Sequence, residues 1–386
     1  MSLAVAVLKE LAEGERRVAL DPASANELVN KGFQVLIETG AGSAAGFSDE
    51  QYSACTLLDD PEIILTMADI WLWVQAPATE HLANLPDGHL CMGLVFAHRN
   101  PAVVDTLKQH GLTCMAMDQV PTINRAQSMH ALSSQATVAG YKAVLRSATL
   151  APRLFPMLTT AAGTLKPATV LIIGTGVAGM QAIATARRLG AKVEVFENRP
   201  EAREQIESLG AKMIDTVIRT VGEGDDEREP TGEEVKQQQV DKLAEHIAAA
   251  DVVISTVTDP GGPAPKIITG AMVEAMAAGS VIVDLAAEFG GNCELTEPGT
   301  AIISNGVLID GPLDLASEGA THASELYASN LLNMLDMLVV DGDLEIDRED
   351  EVVAGTLLTY KGELVLKDTA KPRPPDQEQS NETAEV

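Results

Sequence analysis

The sequence predicts an α/β protein of two lobes, each built on a parallel sheet. Short β-rich runs such as Phe33 to Glu38 and Cys91 to Val95 alternate with helix-length amphipathic segments almost from the start. A chain of 386 residues is long enough for about two to three domains. With 46% apolar, 22% charged and only 3% aromatic residues, its composition suits helices packed closely on sheets and excludes collagen-like or disordered chains.

Taken in order, residues 1–125 hold several strand–helix units and form the first lobe. From Gln127 to about Ala148 there is no proline, and Met129, Leu132, Ala136, Ala139 and Ala143 mark one face of a long helix, expected to link the lobes over 126–148. The stretch Ala148 to Leu165 is expected to be helical in part despite its prolines. Strands are then expected at Thr169–Ile173, Lys192–Phe196, Asp251–Thr256 and Ser280–Asp284, with a short fifth near Val307–Ile309, giving a second lobe over 149–320. A helix over Glu325–Val340 returns the chain, so that about 321–366 completes the first lobe. The tail after Lys367, over 367–386, is rich in Pro, Asp, Glu, Gln, Ser and Asn and reads as disordered. The segment Val221 to Gln239 reads as a solvated loop or the start of a surface helix, with a functional mobile loop as the alternative.

Charge and cysteine usage exclude several function classes. There are 27 basic and 56 acidic residues, a net charge of −29. Such a surface repels phosphate backbones and anionic lipid, so neither nucleic acid nor direct membrane attachment is expected. No apolar run approaches the about 18 residues of a membrane span, and Met1 to Lys9 lacks the basic start of a signal peptide. Cys55, Cys91, Cys114 and Cys293 lie far apart, which suits reduced thiols and gives no metal site.

The strongest local signal is Val170-Leu-Ile-Ile-Gly174-Thr-Gly176-Val177-Ala178-Gly179, between an expected strand and a helical pattern that leads to a second strand. This is the context that the Gly-x-Gly-x-x-Gly fingerprint requires. Gly174 permits the tight turn, Gly176 lets the backbone approach a pyrophosphate at the helix N-terminus, and Gly179 lets helix and strand pack closely. The lobe is therefore Rossmann-like and expected to bind a dinucleotide. The second strand ends at Glu197-Asn198-Arg199. The Glu197 carboxylate would accept hydrogen bonds from the ribose hydroxyls and repel a 2′-phosphate, so NAD(H) is preferred over NADP(H), although the Arg199 guanidinium could serve such a phosphate. Ligands of such sheets sit at the carboxyl ends of the strands, so the loops with Thr256 and Val257, and with Asp284, Leu285, Gly290 and Asn292, are expected to line a dinucleotide cleft between the lobes. Asp284 reads equally well as a turn cap.

These segments resemble a family. Gly279 to Glu294, Pro263 to Thr269, the glycine fingerprint, Arg125-Ala-Gln127-Ser-Met129, Leu132-Ser133-Ser-Gln135 and Ala139-Gly-Tyr141 are together similar to the alanine dehydrogenase and transhydrogenase α-subunit family, from Lys9-Glu10 and Glu15-to-Pro22 to about Val340. Within it, Val74-Gln75-Ala-Pro77 and the Arg125 segment look most like the soluble NAD(H)-binding α subunit (domain I) of proton-translocating NAD(P) transhydrogenases. That resemblance implies hydride transfer from NADH to NADP(H) bound on a partner β subunit, and coupling to proton movement through a membrane-spanning subunit. It also implies a homodimer and a cytoplasmic location, peripheral on the inner membrane through those partners. Catalysis would then be positioning of two rings, with no general base required.

The resemblance places Arg125, Gln127 and Ser133 at the nicotinamide end. Pro121-Thr122-Ile-Asn-Arg125 and His130 depart from the family pattern, which has an arginine at Thr122 and a carboxylate at His130. His130 reads as a solvated residue on an exposed flank or as a titratable charge beside the nicotinamide. The alanine dehydrogenase branch requires a substrate-binding lysine where Gln75 stands and a histidine where Phe96 stands, with His98 close by. Lys9 and Arg17 would be substrate groups in that branch and ion-pair partners in the other. Three functions follow as alternatives: a transhydrogenase subunit, an NAD-dependent amino-acid dehydrogenase, or an NAD-binding paralogue without hydride transfer.

Overall fold

The computed structural model describes residues 2–215, 232–258, 262–313 and 315–366. In chain order its elements are β1 (Ala4–Val7), α1 (Pro22–Asn30), β2 (Gln34–Glu38), β3 (Thr56–Leu58), α2 (Pro61–Met67), β4 (Ile70–Leu72), α3 (Thr79–Ala83), β5 (Leu90–Gly93), α4 (Pro101–Gln109) and β6 (Thr113–Ala116). They continue with α5 (Ala131–Leu150), β7 (Leu158–Thr160), β8 (Gly163–Leu165), β9 (Thr169–Ile173), α6 (Val177–Arg188), β10 (Lys192–Phe196), α7 (Ala202–Ser208), β11 (Lys212–Met213), α8 (Gly232–Ala249) and β12 (Val252–Ser255). The last are α9 (Gly270–Glu274), β13 (Val281–Asp284), β14 (Ala301–Ser304), β15 (Val307–Asp310), α10 (Ala320–Leu338), β16 (Val339–Val340), β17 (Asp343–Leu344), α11 (Glu351–Thr356), β18 (Leu357–Tyr360) and β19 (Glu363–Leu364).

The chain divides into two compact units, Met1–Gln135 with Gly319–Val386, and Ala136–Glu318. The sheet of the first has the order β19-β18-β6-β5-β4-β1-β2-β3, and that of the second β11-β10-β9-β12-β13-β15-β14. Each begins in the middle, runs outward to one edge through two further strands, then returns to the other side of its first strand. The reversal lies between β1 and β4 in one sheet and between β9 and β12 in the other. Strand side chains alternate between faces and both faces of the sheet centres are covered, so the central strands, such as Ala4–Val7, Ile70–Leu72 and Thr169–Ile173, are almost wholly apolar. Val5 and Val7 belong to one buried cluster and Ala4, Ala6 and Leu8 to another, just as Val170 and Ile172 separate from Leu171 and Ile173.

Several expectations need correction. The sheets are parallel except at one edge of each, where β18 pairs antiparallel with β6 and β19, and β14 with β15. The Ala148–Leu165 stretch leaves the helix at Leu150, and Leu158–Leu165 is an antiparallel hairpin of β7 and β8. Pro152 and Pro156 cannot supply the amide hydrogens that a continuing helix needs. Asn124–Met129 forms a 3-10 segment, so the long helix starts at Ala131 and not at Gln127. The returning helix begins at Ala320, one turn before Glu325, and ends at Leu338. Of the acidic stretch, residues 232–239 open α8, while 221–231 and the tail 367–386 lie outside the described residues. No helix among the described residues is long and apolar enough to cross a membrane.

Candidate functional site

The turn between β9 and α6 is the centre of the site in the second unit. Gly174, at φ +92°, closes it by donating to the Phe196 carbonyl at 3.1 Å. A Cβ at Gly174 would stand 2.9 Å from both Thr256 Oγ1 and Val257 Cγ2, and one at Gly179 would stand 2.1 Å from the Gly174 carbonyl oxygen. Both glycines are therefore demanded by the folded chain itself. Gly176 is different. It is exposed, its backbone is ordinary extended chain (φ −63°, ψ −177°), and a Cβ there meets nothing within 4 Å. Gly176 precedes α6 without a side-chain cap, and Val177 and Ala178 form the first helical turn. The first amides of a helix have no partner within it, and the helix dipole adds positive potential, so this end favours an anionic acceptor.

Glu197 follows β10 beside this turn. It accepts from Thr175 N at 3.2 Å, from the Thr175 hydroxyl, and from Asn198 N and Arg199 N at 2.9 and 3.0 Å. The Arg199 guanidinium lies 3.1 Å away and also donates to Thr175 Oγ1 at 3.0 Å. Burial alone would raise the carboxyl, but the bonds from Arg199 and Thr175 outweigh it and hold Glu197 near about 2. It is fully ionised at neutral pH. Thr175, which carries no role in the fingerprint itself, thus anchors the acid; its place between two fingerprint glycines was the available signal.

The neighbouring loops are held from within. Thr256 Oγ1 donates to the carbonyls of Ile173 and Gly174 at 3.2 and 3.3 Å. The buried Asn292 side chain clasps Val257, accepting from its N–H at 3.1 Å and donating to its carbonyl at 2.7 Å, while Ser255 Oγ donates to it at 2.6 Å. Asp284 accepts from Ala286 N, Cys293 N and Thr296 Oγ1 at 3.1, 2.9 and 2.7 Å. Its side chain is wholly buried and performs the turn-capping role. Leu285 is half-buried and Gly290 exposed at φ +96°. Lys266 Nζ, donating to the carbonyls of Gly290 and Cys293 at 2.6 and 3.0 Å, pins the same loop. In the sequence Gly140 stands out only within the Ala139-Gly-Tyr141 motif, yet a Cβ there would lie 2.2 Å from the Ala178 carbonyl oxygen, so it sets how closely α5 approaches α6.

The residues assigned to the nicotinamide end belong to the first unit. Arg125 is exposed and pairs with Asp350 at 2.8 Å. Gln127 is exposed, its amide on Asn124 Oδ1 at 3.2 Å. His130 is half-buried rather than on an exposed flank, and its Nδ1 accepts from Ser133 N at 3.2 Å. The ring thereby caps α5, a role that needs neutral imidazole, and burial lowers its pKa accordingly. Lys9 pairs with Glu38 at 3.2 Å. The buried Arg17 guanidinium is gripped by Glu15 at 2.8 and 2.6 Å and donates to Gln135 Oε1 at 2.8 Å, while Gln75 Nε2 donates to the same Glu15 at 3.1 Å. Phe96 is half-buried and His98 exposed.

A glycine turn at the reversal point of a doubly wound sheet, with an acid on the next strand, defines a protein of the Rossmann dinucleotide-binding class. The chain belongs to the alanine dehydrogenase/PNT family: the model of that family's N-terminal domain matches residues 6–139 and that of its C-terminal domain residues 143–367. It is 42% identical over 374 residues to the first part of NAD(P) transhydrogenase subunit alpha of Rhodospirillum rubrum, covering 94% of this chain and 97% of that one. The crystal structure of transhydrogenase from Sinorhizobium meliloti superposes with a TM-score of 0.85 at 40% identity, over 94% of this chain and 99% of the other. Alanine dehydrogenase of Halomonas elongata is 28% identical, over 95% of this chain and 96% of its own length.

Proposed function

We propose that this protein is the NAD(H)-binding subunit of a proton-translocating NAD(P) transhydrogenase. The observation that carries the reading is Gly176. Nothing in the chain requires glycine there, so the space beside its backbone is reserved for something outside the chain, as close approach of a pyrophosphate would demand. The α6 amides would receive that pyrophosphate, and ionised Glu197 would accept from the adenosine ribose hydroxyls while opposing a 2′-phosphate. NADH supplies the hydride when bound. The chain's own contribution is to hold and orient it, with Arg125, Gln127 and Ser133 at the nicotinamide end and Asn198, Thr256, Val257, Leu285 and Gly290 shaping the remainder.

The acceptor in this reading is NADP on a partner β subunit, and a membrane-spanning partner couples the transfer to proton movement. The subunit would dock on these proteins from the cytoplasmic side. A homodimer is supported by the β7–β8 hairpin, every residue of whose strands is exposed, with Leu154, Met157, Leu158 and Leu165 presenting apolar side chains. An isolated hairpin of this length is marginal in water and gains stability when covered.

The amino-acid dehydrogenase reading is opposed by Gln75, by Phe96, and by the buried grip of Glu15 on Arg17, which occupies the guanidinium with an internal carboxylate. The test is a reconstitution. NADH-dependent reduction of an NADP analogue is expected only when the NADP-binding and membrane subunits are added, and no NAD reduction is expected with L-alanine. NADH binding without transfer in the complete complex would overturn the proposal in favour of a non-catalytic NAD-binding protein.

A further inference from the structure

The carboxylate at the end of β10 has its acceptor sites already taken. Glu197 Oε2 accepts from Thr175 N at 3.2 Å, from the Thr175 hydroxyl and from Arg199 Nη2 at 3.1 Å. Oε1 accepts from Asn198 N at 2.9 Å, Arg199 N at 3.0 Å and Arg199 Nε at 3.3 Å. An ionised carboxylate offers about four lone-pair sites. Six donors leave none of them for a ribose hydroxyl, which has to displace one of the six in order to bind.

These donors are not equally displaceable. Asn198 N and Arg199 N are main-chain groups of the turn that closes on Glu197, and Thr175 N belongs to the glycine turn, so none of them can leave without breaking that turn. The Thr175 side chain is buried. Of the six, the two from the Arg199 guanidinium are the ones free to turn away, because that side chain is 64% exposed while Glu197 is only 10% exposed. The same guanidinium donates to Thr175 Oγ1 at 3.0 Å, so one side chain spans both the acid and the hydroxyl that anchors it. Rotation of Arg199 toward solvent uncovers both carboxylate oxygens and leaves the other four donors holding Glu197 in place. A fork of this kind is geometrically specific, yet at this exposure it opens at small cost.

We propose that Arg199 is a latch on the ribose-binding acid: its guanidinium covers the acceptor sites of Glu197 and swings outward when the adenosine ribose hydroxyls take them. Arg199 is then a competitor of the ribose and not a ligand for it. The inference rests on the NAD(H) reading of this site and adds the residue that regulates its affinity for the ribose.

The test compares ADP with 2′,3′-dideoxy-ADP, which has the same charge and lacks both ribose hydroxyls, by calorimetric titration of the nucleotide-free protein. Any general attraction of Arg199 for the phosphates cancels in the ratio of the two affinities. Arg199→Met keeps a long unbranched side chain and removes every donor, so the preference for ADP should rise about three- to fivefold over the parent. Arg199→Lys has a point charge in place of the fork and should give an intermediate preference. An unchanged ratio in Arg199→Met would overturn the latch, and a lower ratio would overturn it in favour of a guanidinium that bonds the ribose itself; both would leave the NAD(H) reading intact. Failure of the parent to bind either nucleotide would overturn that reading, and the latch with it.

Discussion

Replacing Gly176 and Gly179 singly by alanine separates what the fold needs from what the ligand needs. At Gly179 the new methyl would lie 2.1 Å from the Gly174 carbonyl oxygen, so α6 must retreat by roughly 1 Å to restore an ordinary contact. Overpacking of this kind costs about 1–3 kcal/mol, or a fall of about 2–12 °C in Tm for a unit of this size. At Gly176 the methyl meets nothing within 4 Å and the backbone angles suit alanine, so Tm without nucleotide should change by less than about 2 °C. In the complex the same methyl stands where the pyrophosphate must approach. Loss of one charge-assisted amide-to-phosphate contact is about 1.5–3 kcal/mol, which weakens NADH about ten- to 150-fold. Differential scanning calorimetry without nucleotide and NADH fluorescence titration measure the two quantities. The reasoning is refuted if Gly176→Ala binds NADH as tightly as the parent, or if it lowers Tm as far as Gly179→Ala does.

Two further perturbations test the acids. Glu197→Ser removes the ionised carboxylate and frees Arg199, so NADH should bind about tenfold or more weakly and NADPH more tightly, read by parallel titrations; an unchanged ratio would remove Glu197 from cofactor selection. Glu10 is buried, and burial outweighs its bonds from Val74 N and Gln75 N to raise its carboxyl from 4.5 to about 7. The folded state therefore holds this proton more tightly than the unfolded chain, so stability falls as pH rises from about 4.5 to about 7 and is flat in this respect above. The difference approaches about 3 kcal/mol, and Glu10→Gln should gain Tm relative to the parent between pH 5 and pH 8; a pH-independent difference would contradict it.

Much of the fold was legible because the signals were local. Val170 to Ile173 is an unbroken apolar run bounded by glycine, and β9 occupies Thr169–Ile173, the bounds expected from that run. Lys192–Phe196 is likewise a strand at its expected bounds. The hairpin at Leu158–Leu165 escapes a reading of the sequence because it packs no alternating face into a core, so its residues carry no burial pattern. The antiparallel edge strands escape it for a related reason: direction is decided by which strand a segment meets, and β18 meets β6 from more than 200 residues away in sequence, as the pairing of Leu357 with Met115 shows.

The site divides in the same way. By itself the sequence determined the glycine turn, the acid at the end of the next strand and the family, since each is a short pattern whose physics is contained in neighbouring residues. Tertiary structure alone decided which of those residues face outward. Asp284 and Asn292 spend their side chains on Cys293 N, Thr296 and Val257, and His130 spends its ring on a helix cap. To the separate roles that the fingerprint gives these glycines, the folded chain adds the geometry: Gly174 and Gly179 are filled round by their own protein, whereas Gly176 faces open space. The reason is physical: a hydrogen bond or a close contact is a property of two groups brought together, and most of these groups lie far apart along the chain.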